Sequence, residues 1–252
     1  MRRASPSQLR NRKLITWYED PRVVELYQTR TVLRRAEEYL VDTYFPQTCQ
    51  VLDIGCGTGR TTMALESKGF RVTAIDNAEP MIAAARKRYP DLQWLHMDAT
   101  NLTFEDAAFD VSFFSFNGID GIHPVSLRLN CLKEMIRVTK PGGLIVYSSH
   151  NLLARIFKRF STGRSLLSSA RSLWWELKDQ FDNKKFLSSY IKHPTDEGKI
   201  VVYMSTINNN LRQFRSVCGR ATLLEVVGLV PGEGSKQTNF VSETVYYVWR
   251  KH

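Results

Sequence analysis

One segment constrains the fold of this chain more than any other: a short apolar run that leads directly into closely spaced glycines. Residues 50–54 have the composition of a buried strand, and Gly55, Gly57 and Gly59 follow at alternate positions. Glycines are favoured where the backbone must turn sharply and let a ligand approach without an obstructing Cβ. Helical spacing follows at 61–68. The segment therefore predicts a strand, a ligand-binding turn and a helix in succession.

Short apolar runs alternate with helical periodicity from about residue 50 to residue 150, which is typical of βαβ units that build a parallel sheet. Further strands are predicted at 71–75, 92–96, 109–114 and 143–148, and further helices at 78–88 and 127–139. One or two helices are expected at 20–40, and a strand at 199–205, a helix at 209–217 and strands at 221–228 and 244–250 are expected near the end. The pattern predicts an α/β protein.

The chain of 252 residues is long enough for one large core or two small domains. We interpret it as a single domain in four parts. These are an N-terminal helical region at 1–48, a ligand-binding core at 49–150, a helical insert or cap at 151–198, and C-terminal strands at 199–252 that complete the sheet.

Composition and cysteine placement narrow the class of protein. No apolar stretch approaches the ~20 residues of a membrane-spanning helix, and the N-terminus lacks the apolar core of a secretory signal, so we expect a cytoplasmic protein. The four cysteines include no Cys-x-x-Cys pair, which favours neither a zinc site nor a disulfide framework, and we expect no metal. The net charge of +10 is compatible with a polyanionic partner and equally with a solvated basic surface.

The spacing of the glycines bears on the kind of ligand. A dinucleotide fingerprint reads G-x-G-x-x-G, whereas this turn reads G-x-G-x-G and has Arg60 in the place of the last glycine. Asp53 lies two residues before the first glycine, at the predicted carboxyl end of the strand. A carboxylate there would repel a pyrophosphate and attract a ligand that carries an ammonium and a sulfonium. The turn therefore favours a cationic amino-acid nucleoside.

Four further motifs follow the glycine turn in order. They are 72–77, which ends in Asp76 and Asn77; 95–99, which contains Asp98 and Ala99; 109–117, which ends in Phe116 and Asn117; and 134–143, which ends in Pro141-Gly142-Gly143. With these motifs the chain resembles the class I S-adenosylmethionine-dependent methyltransferases. The resemblance covers roughly residues 50–151, with a looser match from about residue 201 to the end.

The resemblance implies a Rossmann-like methyltransferase fold. That fold is a seven-stranded, mostly parallel, doubly wound α/β sheet, here with N-terminal helices and a helical insert after the fifth strand. It also implies S-adenosyl-L-methionine as the cofactor. The cofactor-binding residues that it implies are Asp53, Gly55, Cys56, Gly57, Gly59, Asp76, Asn77, Asp98, Ala99, Phe116 and Asn117.

The family pattern gives some of these residues a specific role. The acid that closes the second strand, Asp76, would accept hydrogen bonds from both ribose hydroxyls, and Asp98 with its neighbour would contact adenine. Structural alternatives stay open, since Asp53 could cap a turn and Asp76 could be the N-cap of the next helix. Phe116, at a strand end, could face the ligand or belong to the sheet core.

Candidate general bases follow the fourth and fifth strands. They are Asp120 and His123 after one strand and His150 after the other. A neutral imidazole is suited to accept a proton near pH 7, so we rank the two histidines before Asp120. Each of the three could instead serve only as a hydrogen-bonding residue in a loop.

The function expected from the resemblance is methylation of a small-molecule or sugar acceptor, on oxygen. An RNA methyltransferase is an alternative because of the net charge, and a non-catalytic protein that binds the cofactor is another. Leu152, Ile156, Phe157 and Phe160 share a predicted helix face flanked by basic residues, which would suit peripheral contact with an anionic membrane or packing on the sheet. The oligomeric state stays open.

Overall fold

A computed structural model describes residues 14–155, 188–192, 200–228 and 242–252. The strands are β1 Gln50–Ile54, β2 Arg71–Asp76, β3 Gln93–His96, β4 Phe109–Phe114, β5 Thr139–Asn151, β6 Ser188–Lys192, β7 Val201–Ser205, β8 Ala221–Val227 and β9 Thr244–Lys251. The helices are α1 Pro21–Gln28, α2 Arg35–Tyr44, α3 Arg60–Ser67, α4 Glu79–Arg88, α5 Val125–Val138 and α6 Ile207–Val217, with a 3-10 turn at Gly118–Gly121. Residues 14–19 are also helical.

The sheet has the predicted mixed α/β architecture. Strands β3, β2, β1, β4 and β5 lie side by side in that order and pair in parallel. Strand β9 pairs antiparallel with β5, and β8 pairs antiparallel with β9. These seven strands form the mostly parallel, doubly wound sheet that the sequence predicts, and the fold class is confirmed.

Two more strands extend the sheet beyond the predicted seven. Strands β6 and β7 form an antiparallel hairpin, and β7 pairs in parallel with the last two residues of β5, His150 and Asn151. The prediction of a helical insert over 151–198 is therefore wrong at 188–192, because β7 supplies a pairing edge that the local sequence does not reveal. Residues 152–155 are helical, while 156–187 lie outside the described residues, with three of the four side chains of the proposed membrane-binding face.

Strand β5 is longer than predicted and includes His150, which was expected to follow it. Pairing with β9 continues from Leu144 to His150, and pairing with β7 takes over at His150 and Asn151. Pairing with β9 and β7 thus extends β5 over 149–151, although these residues lack the apolar pattern of a strand. His150 is consequently held by ladder hydrogen bonds on a rigid element.

Helices cover both faces of the sheet because successive strand residues point to opposite sides. In β1, Leu52 and Ile54 pack with residues of α5 and α6, including Leu132. Val51 points to the other face and packs with residues of α2 and α3, including Leu40. The loops at the carboxyl ends of the strands are left uncovered by these helices, and this is where ligands bind in such sheets.

The ring of Phe114, at the end of β4, lies against two glycines. A Cβ at Gly55 would lie 2.5 Å from Cε2 of Phe114, and a Cβ at Gly118 would overlap the same ring edge. The glycine turn after β1 and the 3-10 turn after β4 are therefore packed on one aromatic ring. This contact fixes the separation of the two turns.

We expect Gly118→Ala to lower the free energy of unfolding by about 1–3 kcal/mol, because the new methyl group must displace a buried ring. Gly219→Ala is the matched control, since no atom lies within 4 Å of the Cβ that it would add. Chemical denaturation followed by circular dichroism measures both. Equal stability of the two variants would contradict the packing described above.

Strand β1 carries a buried carboxyl group, that of Asp53. Its Oδ2 accepts a hydrogen bond from Oγ1 of Thr62 at 2.7 Å, and its Oδ1 has no hydrogen-bond partner among the described residues. Burial raises the pKa of Asp53 to about 7, because the charged form is disfavoured away from water. Folding therefore favours the protonated form of this group.

A carboxyl group whose pKa is raised by folding contributes most to stability at low pH, and that contribution is lost as the pH rises from about 4 to about 7. Asp53→Asn keeps the shape and cannot ionise. We compare the free energy of unfolding of the variant with that of the wild type at two pH values. We expect this difference, variant minus wild type, to be about 2 kcal/mol larger at pH 8 than at pH 5. Denaturation curves at both pH values measure this, and a pH-independent difference would contradict it.

Candidate cofactor site

A cavity opens at the carboxyl ends of β1 to β4. Its wall includes residues 55–58, 75–78, 97–100 and 114–116, each of which lies within or next to one of the motifs singled out in the sequence. Residues 14, 15, 18, 27 and 30 close it from the N-terminal side. The position agrees with the rule that open α/β sheets bind ligands beyond the carboxyl ends of their strands.

The glycine turn has a backbone conformation that side chains disfavour. Gly57 has a φ of +57° and Gly59 a φ of +95°, both in the left-handed region where glycine is the favoured residue. The N–H of Gly57 donates to Oδ2 of Asp76 at 2.8 Å, which links the turn to the end of β2. Gly59 does not line the cavity, and a Cβ there would lie 2.5 Å from Cη2 of Trp94.

Two carboxyl groups lie on one side of the cavity. Asp76 accepts the N–H of Gly57 on one oxygen and the N–H of Ala78 on the other at 2.9 Å. Burial raises the pKa of Asp76, and these backbone donors oppose the rise. Asp98 accepts the N–H of Thr100 at 2.8 Å. Both side chains belong to turns and also line the cavity, so a structural role and a ligand role are compatible.

An arginine that the motifs do not include, Arg30, also lines the cavity. The guanidinium of Arg30 lies 4.5 Å from the ring centroid of Tyr27 and 4.9 Å from that of Phe116. Its Nη1 is buried and has no hydrogen-bond partner among the described residues. A buried donor without a hydrogen-bond partner costs free energy, and a guanidinium binds anionic groups well. This geometry therefore favours a ligand whose anionic group accepts a hydrogen bond from Arg30.

A second arginine on the wall, Arg60, already has a partner. Its Nη2 donates to Oε1 of Glu37 at 2.8 Å, and its Nη1 pairs with Oε2 of the same carboxylate. Burial alone would raise the pKa of Glu37, but the hydrogen bond and charge of Arg60 outweigh it and lower the pKa. The charge of Arg60 is thus compensated within the protein, whereas no ion pair of Arg30 is found in the part of the chain that the structure describes.

Phe116 and Asn117 both adopt left-handed backbone conformations, with φ values of +56° and +58°. Such conformations cost about 1–3 kcal/mol each for residues other than glycine and cluster at functional sites. The turn brings Phe116 to the cavity wall. Asn117 is directed elsewhere, and its Nδ2 donates to Oγ1 of Thr244 at 2.9 Å.

The predicted cofactor residues divide into two groups by position. Those on the cavity wall are Gly55, Cys56, Gly57, Asp76, Asn77, Asp98, Ala99 and Phe116. Those off the wall are Asp53, Gly59 and Asn117. Asp53 is fully buried beside Thr62, so the attraction between its carboxylate and a cationic ligand, expected from the sequence, has no direct contact to act through.

The three candidate bases also lie off the wall, although Gly118, Gly121 and Ile122 of the same segment line it. The structure brings two of them together, because Nδ1 of His150 lies 2.8 Å from Oδ2 of Asp120. His123 instead packs on Tyr190 of β6, with ring centroids 3.9 Å apart.

No three His, Cys, Asp or Glu side chains within 14–155, 188–192, 200–228 and 242–252 are grouped so that they could hold a metal ion. Over the same ranges, no helix has both the length and the apolar composition needed to cross a membrane.

Comparison with known proteins identifies the core. Residues 51–143 match a family model described as a methyltransferase domain. A demethylmenaquinone methyltransferase of Beutenbergia cavernae is 40% identical over 97 residues, which are 38% of this chain and 39% of that protein. A malonyl-[acyl-carrier protein] O-methyltransferase of Serratia marcescens is 38% identical over 100 residues, 40% of this chain and 38% of that protein. The chain thus matches about two fifths of the length of these curated relatives.

Solved structures extend the likeness to the whole fold. The 1,6-didemethyltoxoflavin-N1-methyltransferase of Burkholderia thailandensis, solved with 1,6-didemethyltoxoflavin and S-adenosylhomocysteine bound, superposes with a TM-score of 0.64 at 17% identity. The match covers 100% of this chain and 92% of that one, and at this identity it speaks for the fold alone. The ordered motifs and the strand order agree with this match, and they place a methyltransferase domain at residues 51–143 of the chain.

Proposed function

We propose that this protein binds S-adenosylmethionine and transfers its methyl group to an oxygen atom of a small-molecule acceptor. The observation that carries the proposal is the buried Nη1 of Arg30, which has no hydrogen-bond partner among the described residues and belongs to the same cavity as Asp76 and the glycine turn. An amino-acid nucleoside has hydroxyl donors at one end and a carboxylate at the other. Those groups complement a cavity whose wall carries the carboxyl groups of Asp76 and Asp98 and the guanidinium of Arg30.

The residues on the wall fit the cofactor. Asp76 and Asp98 supply acceptors for the ribose and adenine groups, and the missing side chain of Gly57 allows close approach. Arg30 supplies donors for the methionine carboxylate. When bound, the cofactor supplies a methyl group on a positively charged sulfur. The protein's task is to hold this group in line with the acceptor and to exclude water, and such alignment can be worth about 7–11 kcal/mol.

The rest of the wall favours an acceptor with an apolar face over a sugar. Leu14, Ile15, Ile122 and Leu127 line the cavity near the 3-10 turn. Apolar side chains there bury apolar surface and offer no hydrogen bonds to a ring of hydroxyls. The relatives named above for demethylmenaquinone and for a malonyl-carrier ester also act on small or carrier-bound organic groups.

Transfer to oxygen is favoured by the pairing of His150 with Asp120. A hydroxyl is a weak nucleophile until a base accepts its proton, and a positioned base contributes typically about 10²–10⁴-fold. The imidazole of His150 lies off the cavity wall, next to the 3-10 turn that lines it, but 17% of its side chain is accessible and the carboxylate of Asp120 orients it. We therefore propose His150 as the base.

Calorimetry with S-adenosylhomocysteine and with NAD tests the cofactor assignment directly. We expect S-adenosylhomocysteine to bind with a measurable heat. We expect NAD to give none, because Arg60 occupies the position of the last glycine in the dinucleotide fingerprint. Incubation with methyl-labelled cofactor and an extract of small metabolites then tests transfer. Binding of NAD together with indifference to S-adenosylhomocysteine would overturn the proposal, and binding without any labelled product would reduce it to a cofactor-binding protein.

We expect Arg30→Gln to weaken binding of S-adenosylhomocysteine about tenfold or more, because a hydrogen bond to a charged group is lost. Binding of 5′-methylthioadenosine, which lacks the amino-acid group, should not change. Arg34→Gln is the matched control, since Arg34 lies 3.9 Å over the same Phe116 ring but does not line the cavity. If Arg30→Gln weakened both ligands equally, Arg30 would not be the carboxylate-binding residue.

A further inference from the structure

Arg128 of α5, Asp120 of the 3-10 turn and His150 of β5 form a hydrogen-bonded chain next to the cavity. Nη1 of Arg128 donates to Oδ1 of Asp120 at 2.7 Å. The other oxygen of Asp120, Oδ2, accepts the backbone N–H of His150 at 2.6 Å and lies 2.8 Å from its Nδ1. These hydrogen bonds thus connect a cation, a carboxylate and an imidazole in a fixed order.

The ion pair in this chain is fully buried, since the side chains of both Arg128 and Asp120 have no accessible surface. Burying two charges costs more than most fold-stabilising contacts return, and apolar residues of similar volume often serve stability equally well. Burial is the largest influence on Arg128 and lowers its pKa, but the charge of Asp120 together with the surrounding tyrosines outweighs it, so the pKa of Arg128 is raised. Stability alone therefore does not account for a charged pair at this position.

The surroundings of Arg128 hold its guanidinium in one orientation. Its Nη2 donates to Oδ1 of Asn210 at 2.9 Å, and its Nε donates to Oε1 of Gln213 at 3.1 Å. The plane of the guanidinium lies 4.8 Å from the ring centroid of Tyr203. With Oγ of Ser149, which accepts from Nη2 at 3.4 Å, four elements besides α5 meet at this side chain: the 3-10 turn, β5, β7 and α6.

The carboxylate in turn fixes the proton of His150. Asp120 also accepts a hydrogen bond from Oγ of Ser149 at 2.8 Å, so all the groups around it that the structure describes are donors. An ionised carboxylate can only accept hydrogen bonds, so Nδ1 of His150 must carry a proton. In the neutral imidazole the lone pair then lies on Nε2.

We propose that Arg128 is a positioning residue, which fixes the orientation of the Asp120 carboxylate and thereby holds His150 in the Nδ1–H form, with Nε2 as the proton acceptor. The inference rests on the proposed function, in which His150 is the base for a hydroxyl acceptor. In that step the O–H bond of the acceptor breaks, its proton bonds to Nε2, and the electron pair stays on the oxygen as the nucleophile. The resulting imidazolium stays hydrogen-bonded through its Nδ1–H to the carboxylate of Asp120.

Nitrogen-15 NMR of the histidine-labelled full chain at pH 8 tests the tautomer without any acceptor. The His150 signals are assigned by their loss in His150→Gln. In the wild type we expect Nδ1 to give a protonated, pyrrole-type shift and Nε2 an unprotonated, pyridine-type shift. Arg128→Met should mix the two tautomers, whereas Arg128→Lys, which keeps the charge, should preserve the wild-type pattern. An Nε2–H tautomer in the wild type, or an unchanged pattern in Arg128→Met, would overturn the proposal.

Asp120→Asn is a second variant, which keeps the shape should Arg128→Met fail to fold. Arg128 would hold the amide oxygen, so the amide nitrogen would face His150 and the proton should move from Nδ1 to Nε2. Retention of the Nδ1–H form would contradict the proposal. Where an acceptor is in hand, turnover should fall about 10²-fold or more while affinity for S-adenosylhomocysteine stays within twofold. If the wild type bound no S-adenosylhomocysteine, the proposed function would be wrong. The NMR result on the tautomer of His150 would still hold, because it is measured without cofactor or acceptor.

Discussion

Parallel pairing of β1 with β2 on one side and β4 on the other is the constraint on which the site depends. Ile54 is level with Ile75, and Asp53 is level with both Ala74 and Phe113. Because parallel strands end at the same edge of a sheet, the turns that follow them must converge there. The glycine turn, the carboxyl group after β2 and the aromatic turn after β4 therefore meet, although they are distant in sequence. Phe114 then sets their spacing through its packing on two glycines.

Local periodicity was sufficient to predict the strands whose apolar residues are buried by helices. The strands that it missed or shortened are those whose position depends on a partner elsewhere in the chain. The strand at Ser188–Lys192 is paired by β7, and the last residues of β5 are paired by β9 and β7. Hydrogen bonds between strands leave no trace in the local order of apolar and polar residues. Nothing before residue 188 therefore indicates that the insert ends in a strand.

The site divides in the same way between local and tertiary signals. Motif spacing identified the carboxylates on the wall, since turn residues after parallel strands share one edge. Asp53 shows the limit of that reasoning, because strand alternation puts it on the same face as Val51, toward the buried side of α3, where Thr62 binds it. Arg30 and Arg128 carry no motif. Their environments arise from Phe116 and Asp120, which are 86 and 8 residues away, and only the folded chain shows which of them is compensated.

Two buried arginine–carboxylate pairs flank the turn after β4, and they explain why one charge is left for a ligand. Arg60 is neutralised by Glu37, and Arg128 is neutralised by Asp120. Both pairs are complete within the protein, so neither attracts an anion from outside. The net charge of +10 is a property of the whole chain and cannot reveal this distinction, which is local. Arg30 lines the same cavity as Asp76 and Asp98, and its buried Nη1 has no hydrogen-bond partner among the described residues. In the proposed function this donor binds the anionic end of the ligand while the two carboxyl groups accept hydrogen bonds from the other end, so the ligand binds in a single direction.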